Sequence, residues 1–493
     1  MTKTHHLTSE DRTFFGLVAQ AAFSNPFSEQ RESLDRQMAG EERLNELRID
    51  LALERVRERI TRLEQAKSLH LSRYSEEDRE LLKSACLFDA FHRYIDVFDR
   101  LILEQIQAGD ESCKAAFAGE MLDLLSRWGF PRAEAVRSLA IFYQLRRAFY
   151  FIAKSLVGSS AGIRQLRVRL WNNVFTHDTR LYVRYLWNRM EDFSTLLLGE
   201  TGTGKGAAAG AIGRSGFIPF DEQTDRFTES FCRTFMAINL SQFSATLIES
   251  ELFGHKKGAF TGALNPHEGL LARCSPHGAI FLDEIGELSV PVQIKLLQVL
   301  QERVFSPVGS HEKKRFSGRV IAATNQSIDE RRRQGAFRDD FYYRLCSDVL
   351  VVPPLRQRIA EEPGELKRLV DHLVRRLAGD DSEELTAYIC AELDRHPGRD
   401  YSWPGNVREL EQAIRRILLT RVYEGDSRQT GGDEKSRMLE RIEAGSVTAA
   451  GLLEFYCRQL FQRYGTYEEV ARRTGLDRRT AKKYVAGKKQ PAE

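Results

Sequence analysis

The chain has 493 residues, of which 42% are hydrophobic and 29% charged, a composition typical of globular proteins and a length that suits about three or four domains. The sequence has no apolar run long enough to span a membrane, its start lacks the apolar core of a secretory signal, and its seven scattered cysteines include no CxxC pair. We therefore expect a cytoplasmic protein without a disulfide framework or a zinc site. The net charge of +3 excludes a generally basic chain, so any contact with nucleic acid must come from a local patch.

Residues 1–165 are predicted to form a helical domain. Apolar residues recur at helical spacing in an early segment, at Leu47, Leu51, Val56, Ile60 and Leu63, and two later segments continue the pattern. A phosphoacceptor receiver domain would need an apolar strand followed by paired acidic residues, and the sequence shows none here. Two interpretations stay open: a plain helical bundle, or a regulatory and sensor domain that responds to a ligand or a partner protein.

From Thr195 onward, short apolar runs alternate with helical stretches. The runs are STLLLGE, FMAINL, GAIFLDE, GRVIAATN and DVLVVPP. Strands separated by helices predict crossover units and a parallel sheet, so we place an α/β domain at 166–354. Helical patterns then predict a lid at 355–423, the polar segment 424–445 predicts a linker, and 446–493 is predicted to be a small helical domain.

A glycine-rich loop follows the first of these apolar runs. Its spacing, Gly199-x4-Gly204-Lys205, is that of a P-loop, in which backbone N–H groups surround phosphates and the lysine reaches the β- and γ-phosphates. The next residue is Gly206, where a P-loop usually carries the Ser or Thr hydroxyl that binds Mg²⁺. The predicted nucleotide-binding residues of this loop are Gly199, Glu200, Thr201, Gly202, Thr203, Gly204, Lys205 and Gly206.

Acidic and amide side chains end two of the other predicted strands. Asp283 and Glu284 follow the apolar run AIFL, and Asn325 ends AATN. A carboxylate at a strand end can bind Mg²⁺, and a second can polarise an attacking water. We therefore predict Asp283 as the metal ligand, Glu284 as the catalytic base, and Asn325 as a residue that senses the γ-phosphate or positions water.

The roles of two further sequence patterns cannot be assigned from residue spacing alone. Arg338 and Arg344 suit stabilisation of a transferring phosphoryl group, although isolated arginines are more often solvated helix residues. The segment HKKGAFTGA places glycines on both sides of Phe260 and Thr261. Those glycines permit a tight, mobile, hairpin-like tip with an apolar anchor and a hydrogen-bonding group.

Together these motifs resemble an AAA+ ATPase, and more narrowly the bacterial enhancer-binding proteins that activate sigma-54 RNA polymerase. The resemblance extends from about residue 166 to 413. It depends on GETGTGK, ESELFGHKKGAFTGA, FLDE, FRDDFYYRL and WPGNVRELE, which are similar to the family's P-loop, its sigma-54 contact segment, its Walker B, its arginine fingers and its second sensor.

The resemblance implies roles for particular residues. Asn239 would restrain Glu284 and relay nucleotide state, and Arg408 would contact nucleotide from the lid. Arg338 and Arg344 would reach into the neighbouring subunit's site, which requires a homo-oligomeric ring, usually a hexamer, built here from dimers. ATP and Mg²⁺ are the implied ligands. The implied sigma-54 contacts are Gly258, Ala259, Phe260, Thr261, Gly262 and Ala263.

The last domain is predicted to be a DNA-binding helix-turn-helix. Ala471, Gly475 and Leu476 have the spacing of its turn, and Asp477 is the predicted N-cap of the recognition helix. Between Ala471 and Lys489, eight Lys or Arg and one Asp give a local charge of +7, which favours contacts with phosphates, and a two-fold operator is expected. The predicted DNA contacts are Arg478, Arg479, Thr480, Lys482 and Lys483.

The resulting hypothesis is a sigma-54-dependent transcriptional activator, bound upstream on double-stranded DNA, in which a ring hydrolyses ATP to remodel the polymerase. Two alternatives stay open: an AAA+ remodelling ATPase with another protein client, and a DNA-binding repressor whose ATPase is inactive. Gly206 is the only support for the second alternative. The segment RSGFIPFDEQTDRFTESFCRT is longer than the family leads us to expect, and we predict an inserted surface loop there.

Overall fold

The computed structural model describes residues 5–40, 48–66, 68–379, 382–398, 400–425, 438, 442 and 445–486. Leu47, most of the predicted linker and the end of the predicted C-terminal domain, 487–493, lie outside the described residues. The chain divides into two compact units, one of Met1–Cys390 with Ser402–Ile414 and the other of Ala391–Tyr401 with Arg415–Glu493. The domain boundaries predicted from the sequence stay predictions. Within the described ranges, no helix is both long and apolar enough to cross a membrane.

The N-terminal region is helical, as the sequence predicts. Thr8, Ser28, Ser75 and Ser160 each accept a hydrogen bond from a backbone N–H in the first turn of the helix that follows. This N-cap arrangement satisfies donors that the helix itself leaves unpaired. The helices are α1 (Ser9–Phe23), α2 (Glu29–Ala39), α3 (Arg48–Gln65), α4 (Glu76–Arg93), α5 (Ile95–Ala108), α6 (Ala118–Arg127), α7 (Arg132–Ser155), α8 (Ala161–Phe175) and α9 (Thr179–Leu181).

Strands and helices then alternate as far as Val351. The elements are β1 (Thr195–Leu198), α10 (Lys205–Gly213), β2 (Phe220–Asp221), β3 (Arg226–Phe227), β4 (Phe235–Asn239), α11 (Ala245–Phe253), α12 (Leu270–Arg273), β5 (Ala279–Asp283), α13 (Val290–Glu302), β6 (Val304–Phe305), β7 (Lys314–Arg315), β8 (Arg319–Thr324), α14 (Ile328–Arg333), α15 (Asp339–Leu345) and β9 (Asp348–Val351).

A five-stranded parallel sheet forms the centre of this segment, in the order β4-β5-β8-β1-β9. The five strands are the five apolar runs read from the sequence, so the predicted parallel α/β core is confirmed. Because parallel strands share one direction, their carboxyl ends meet at one edge of the sheet, where crossover folds place their ligands. The register pairs Asn239 with Asp283 and Asp283 with Ala323.

Both faces of the sheet are buried. Alternate side chains of each strand point to opposite faces, so each strand contributes to two apolar clusters. Leu197 and Phe281 lie in an apolar cluster with residues of α7, α8 and α10, whereas Leu196 and Ile280 lie in a second cluster with residues of α11–α15. The first cluster continues without interruption through the N-terminal helices to Leu7. The helical region and the sheet therefore share one hydrophobic core.

The surface loop predicted after α10 is not what the structure shows. The segment after α10 forms the antiparallel pair β2–β3, and its Phe220, Phe227 and Phe231 are all buried. Phe227 stacks on Tyr143 of α7 with ring centroids 4.1 Å apart. The prediction of an exposed loop was wrong because three aromatic side chains of this segment pack against the N-terminal helices instead of facing solvent.

Helices return after the sheet, as predicted for the lid. They are α16 (Leu355–Glu361), α17 (Glu365–Ala378), α18 (Glu383–Leu393) and α19 (Asn406–Thr420). The amphipathic sequence of α17 buries Leu369, Val370, Leu373 and Val374 along one face.

The C-terminal helices are α20 (Ala449–Tyr464), α21 (Tyr467–Thr474) and α22 (Arg478–Ala486). Cys457, Leu460, Val470 and Ala481 form their small buried core. Gly475 ends α21 in a left-handed conformation, which glycine adopts without strain. The chain thus forms a helix, a short turn and a second helix, in agreement with the helix-turn-helix prediction.

Candidate functional site

The glycine-rich loop joins β1 to α10 at the carboxyl edge of the sheet. Gly202 and Gly204 have φ angles of 81° and 106°, which favour glycine, and a Cβ at Gly202 would lie 2.2 Å from the Gly405 carbonyl oxygen. The N-cap residue of α10 is Gly204, which has no side chain that could cap the first turn. The N–H groups of that turn are therefore able to bind an anion, and the helix dipole supports the same charge.

Lys205 begins α10, and its side chain points into the loop. It is 7% exposed, and its Nζ donates hydrogen bonds to the carbonyl oxygens of Gly199 and Glu200 at 2.8 and 3.0 Å. Burial lowers the pKa of Lys205, while the nearby carboxylates of Glu284 and Asp283 act in the opposite direction. The Lys205 ammonium group therefore lies against the glycine-rich loop and close to the acidic end of β5.

At the same edge, Asp283 is the last residue of β5 and Glu284 follows it. Glu284 has φ 57° and ψ 48°, a left-handed conformation that is uncommon for a residue with a side chain. The Asn325 N–H donates to Glu284 Oε2 at 3.3 Å, and Asn325 Nδ2 donates to Thr201 Oγ1 at 2.8 Å. Asn325 thus connects the predicted base to the P-loop.

Asn239 ends β4 beside Asp283. Its Oδ1 accepts hydrogen bonds from the backbone N–H and the hydroxyl of Ser241 at 3.0 and 2.8 Å. The amide therefore caps the turn that follows β4. The structure brings Asn239 to the carboxyl edge of the sheet, and its contact with Glu284 stays a prediction.

The lid contacts the P-loop through residues that the sequence analysis did not identify. Asn406 is fully buried, and its Nδ2 donates to the Thr201 carbonyl oxygen at 3.0 Å. Arg356 binds the Glu200 carboxylate with two hydrogen bonds of 2.8 and 2.6 Å, and these bonds are the main cause that lowers the pKa of Glu200. The predicted sensor Arg408 lies beside the same loop, since a Cβ on Gly202 would come within 3.0 Å of its Cβ.

Of the two predicted arginine fingers, Arg338 is the N-cap residue of α15 and Arg344 lies in its last turn. Arg338 precedes the helix and binds the Asp340 carboxylate with bonds of 3.0 and 2.7 Å. Arg344 donates from Nε to the Leu300 carbonyl oxygen at 2.9 Å. Their hydrogen bonds are thus to α13 and α15 of the same chain, and their action on a neighbouring subunit stays a prediction.

The GAFTGA segment is the tip of a hairpin-like loop. His255 and His267 exchange both backbone hydrogen bonds at 3.0 Å, and the Gly258 N–H donates to the Ala263 carbonyl oxygen at 2.8 Å. Gly258 and Gly262 have positive φ angles with open space around their Cα atoms, so the turn geometry requires glycine there.

The side chains of this tip differ in exposure. The Phe260 ring is half-buried against the His255 ring, with centroids 4.9 Å apart, whereas Thr261 is exposed. Leu264, which the sequence analysis did not single out, is 77% exposed. An apolar residue directly after the motif was its only signal in the sequence.

The predicted recognition helix is α22 in the second unit. Asp477 accepts hydrogen bonds from the N–H groups of Arg479 and Thr480 at 2.9 and 3.0 Å, so the predicted N-cap is confirmed. Arg479, Lys482 and Lys483 are exposed. Arg478 is also exposed and pairs with Glu468 at 2.8 Å, while the Thr480 hydroxyl binds Asp477. The basic residues 488 and 489 lie outside the described residues.

Comparison with known proteins agrees with these motifs. Residues 181–350 match the model of the sigma-54 interaction domain. The sigma54-dependent transcriptional activator SfnR of Pseudomonas putida is 42% identical over 46% of this chain and 57% of its own length. The sigma54-dependent transcriptional regulator SfnR of Pseudomonas fluorescens is 37% identical over 55% of this chain and 69% of its own length.

Other relatives are matched over smaller parts of their length. The Nif-specific regulatory protein of Klebsiella pneumoniae is 38% identical over 55% of this chain and 45% of its own length. Among these three relatives, the matched part is between 45% and 69% of the relative. A crystal structure of NtrX from Brucella abortus in complex with ATP aligns over 73% of this chain and 78% of that chain with a TM-score of 0.41 and 20% identity, a similarity too low to support an argument.

Proposed function

This chain belongs to the family of sigma-54-dependent transcriptional regulators, and on that premise we propose that it is an ATPase that activates sigma-54 RNA polymerase. A ring of subunits hydrolyses ATP. The loop with Phe260 and Thr261 at its tip remodels the sigma factor, and the promoter opens. The C-terminal helices bind double-stranded DNA upstream.

The residues at the carboxyl edge of the sheet fit a magnesium nucleotide. The uncapped first turn of α10 and Lys205 would bind the phosphates. Asp283 would bind Mg²⁺, and the ion would neutralise charge that develops on the phosphate oxygens. Gly206 supplies no hydroxyl to the ion, so this site would depend on Asp283 and on water more than a usual P-loop does.

The remaining side chains have separate roles in hydrolysis. The left-handed backbone at Glu284 directs its carboxylate toward the Asn325 N–H, where it would polarise the attacking water. Arg408 would contact nucleotide from the lid, and Arg338 and Arg344 would stabilise phosphoryl charge in the neighbouring subunit. The fingers act between subunits, so a monomer would hydrolyse ATP slowly.

The proposal that this chain contacts DNA depends on the positive charge of α22 and on how that helix packs. The side chains of Arg479, Lys482 and Lys483 are exposed on α22, and the buried Ala481 fixes which face of the helix points outward. Such a basic helix suits the major groove of DNA, with affinity that falls as salt rises.

The observation that carries the proposal is the loop at 255–267, with its reciprocal hydrogen bonds between His255 and His267 and its exposed Thr261. A surface tip of this kind has no role in nucleotide chemistry itself. It suits contact with a protein client, and the match to the sigma-54 interaction domain is why we propose the sigma factor as that client.

The test is the variant Thr261→Ala, with Thr13→Ala in α1 as the matched control. We expect Thr261→Ala to keep its ATPase activity and to lose nucleotide-dependent binding to sigma-54, measured by pull-down with purified sigma factor. The control is expected to keep both. If Thr261→Ala keeps sigma-54 binding, or if the wild type hydrolyses ATP and never binds sigma-54, the remodelling of another client is the better assignment. If the wild type hydrolyses no ATP, the repressor alternative gains support.

A further inference from the structure

The far end of the P-loop helix is bound by two side chains of the N-terminal helical region. Arg147 of α7 donates from Nη1 to the Arg214 carbonyl oxygen and from Nη2 to the Gly216 carbonyl oxygen, both at 2.7 Å. Gln144, one turn earlier, donates from Nε2 to the Ser215 carbonyl oxygen at 2.8 Å. Three consecutive carbonyl groups that follow α10 therefore accept hydrogen bonds from a single helix of another region.

Arg147 is a charged residue that is buried without a partner of opposite charge among the described residues, which is unusual for a residue that only supports the fold. Its side chain is fully buried, and none of the described acidic residues forms an ion pair with it. Its charge faces the two carbonyl oxygens and the ring of Tyr143, whose centroid lies 4.7 Å from Cζ. Burying a charge without a counter-ion is costly, but a cation at the carboxyl end of a helix is stabilised by the helix dipole.

Helix α10 is suited to transmit a displacement. It is 9 residues long, which corresponds to roughly 13 Å, with Lys205 at its start and the carbonyl groups bound by Arg147 just after its end. Ala208, Ala209, Ala211 and Ile212 are buried. A Cβ on Gly213 would lie 2.2 Å from the Phe235 ring, so the helix has little room to move independently of its neighbours.

The segment that leaves α7 binds two helices of the predicted lid. Glu365 of α17 is fully buried and accepts hydrogen bonds from the Ser159 and Ser160 N–H groups at 2.7 and 3.2 Å. Arg358 of α16, paired with Glu365 at 2.7 Å, donates to the Val157 carbonyl oxygen at 2.6 Å. These helices belong to the lid, so the helical region contacts both the P-loop helix and the lid.

We propose that Arg147 and Gln144 are positioning residues for the nucleotide site, and that through them the N-terminal helical region sets the affinity of the P-loop for the triphosphate. This inference rests on the proposed function, since it assumes that Lys205 binds phosphate. In this proposal the helical region supports the active geometry while it stays docked.

The test compares full-length variants. Arg147→Met and Gln144→Met remove the donors at similar side-chain volume, and Arg147→Lys keeps the charge but offers no planar pair of donors. The matched control is Arg146→Met. Arg146 is the adjacent residue of α7 and forms a bidentate ion pair with Asp99 at 2.5 Å. The Arg146→Met variant removes this pair, which lies wholly within the helical region. Each protein is compared for far-UV circular dichroism, for equilibrium binding of a fluorescent ATP analogue, and for KM and kcat.

We expect Arg147→Met and Gln144→Met to bind the analogue about 2- to 30-fold more weakly than wild type, with KM raised more than kcat is changed. Arg147→Lys should lie between Arg147→Met and wild type, and Arg146→Met should bind nucleotide as wild type does. If Arg147→Met does not fold, Gln144→Met and Arg147→Lys carry the comparison.

The inference is wrong if folded Arg147 and Gln144 variants bind nucleotide with wild-type affinity, or if Arg146→Met weakens binding as much as they do. A wild-type chain that binds no nucleotide would instead overturn the proposed function, so the two failures are distinguishable.

Discussion

Gly206 is the residue at which the phosphate loop departs from its usual pattern. It is exposed in the first turn of α10, its backbone is outside the left-handed region, and a Cβ there would meet only the Phe281 ring, at 3.9 Å. Nothing in the local geometry therefore requires glycine at this position. The neighbouring Gly204 is different, since its φ of 106° strains any other residue.

We predict that Gly206→Ala raises the free energy of unfolding by about 0.4–1 kcal/mol, because alanine has less conformational entropy to lose in the unfolded chain. ATPase activity should be retained. Gly204→Ala makes the same chemical change two residues earlier and should lower stability. Chemical denaturation of both variants measures the difference, and a loss of stability in Gly206→Ala would contradict the geometry described for this turn.

Asp78 illustrates a buried charge that is well satisfied. It is fully buried at the start of α4 and accepts hydrogen bonds from Arg12 Nε at 2.8 Å and from the Leu7 N–H at 3.2 Å. The Arg12 bond is the main cause that lowers the pKa of Asp78 from its ordinary value of 3.8 to about 2. The two bonds thereby attach Leu7 and the first turn of α1 to α4.

Because the pKa is lowered on folding, the stabilisation is present above pH 3.8 and is lost as the pH falls toward about 2. We predict that Asp78→Asn lowers the free energy of unfolding by about 1–3 kcal/mol at neutral pH. The difference from wild type should shrink as the pH falls from about 4 to 2. Glu77→Gln, an exposed neighbour, should show little effect, and a difference for Asp78→Asn that does not change with pH would contradict this assignment.

Strand and loop chemistry is predictable where it is local in the chain. Asp283, Asn325 and the P-loop each follow an apolar run directly, so a sequence pattern is enough to place them at one edge of the sheet. The partners of Arg147 are different, because they are backbone carbonyl groups 67 and 69 residues away. A carbonyl group carries no residue-specific signal, so no sequence pattern predicts such a bond.

The β2–β3 hairpin shows the same limit for packing. Its length suggested an exposed insertion, yet Phe227 is 3% exposed and stacks on Tyr143 of α7. The four phenylalanines of the segment 214–234 were the available signal. The surface that Phe227 packs against, however, lies in a distant part of the sequence. Asn406 and Arg356 were missed for a related reason, because their importance depends on how the lid meets Glu200 and Thr201.

We predict that Phe227→Ala lowers the free energy of unfolding by about 3–5 kcal/mol, as expected for the loss of a buried aromatic ring. Gln223→Ala, in the exposed turn of the same hairpin, should change stability little. Thermal and chemical unfolding of both variants measure the effect. Equal stability of Phe227→Ala and wild type would mean that the hairpin is the surface loop that its sequence first suggested.

The N-terminal helices and the α/β sheet form one apolar core, which extends from Leu7 to Val352. Contacts of this kind do not suit a regulatory domain that is attached only by a flexible tether. They suit a region whose small shifts would reach the proposed nucleotide site through α10 and the lid. The C-terminal unit has its own small core around Cys457 and Val470, in agreement with a separate DNA-binding module.

The proposed function requires that ATP hydrolysis by this chain opens a sigma-54 promoter. The measurement is open-complex formation by purified sigma-54 holoenzyme and the full-length chain, detected as permanganate reactivity of the promoter DNA. We predict reactivity with ATP, and none with ADP or with the Glu284→Gln variant. If the chain hydrolyses ATP under the same conditions while the promoter stays closed, the proposed function is wrong.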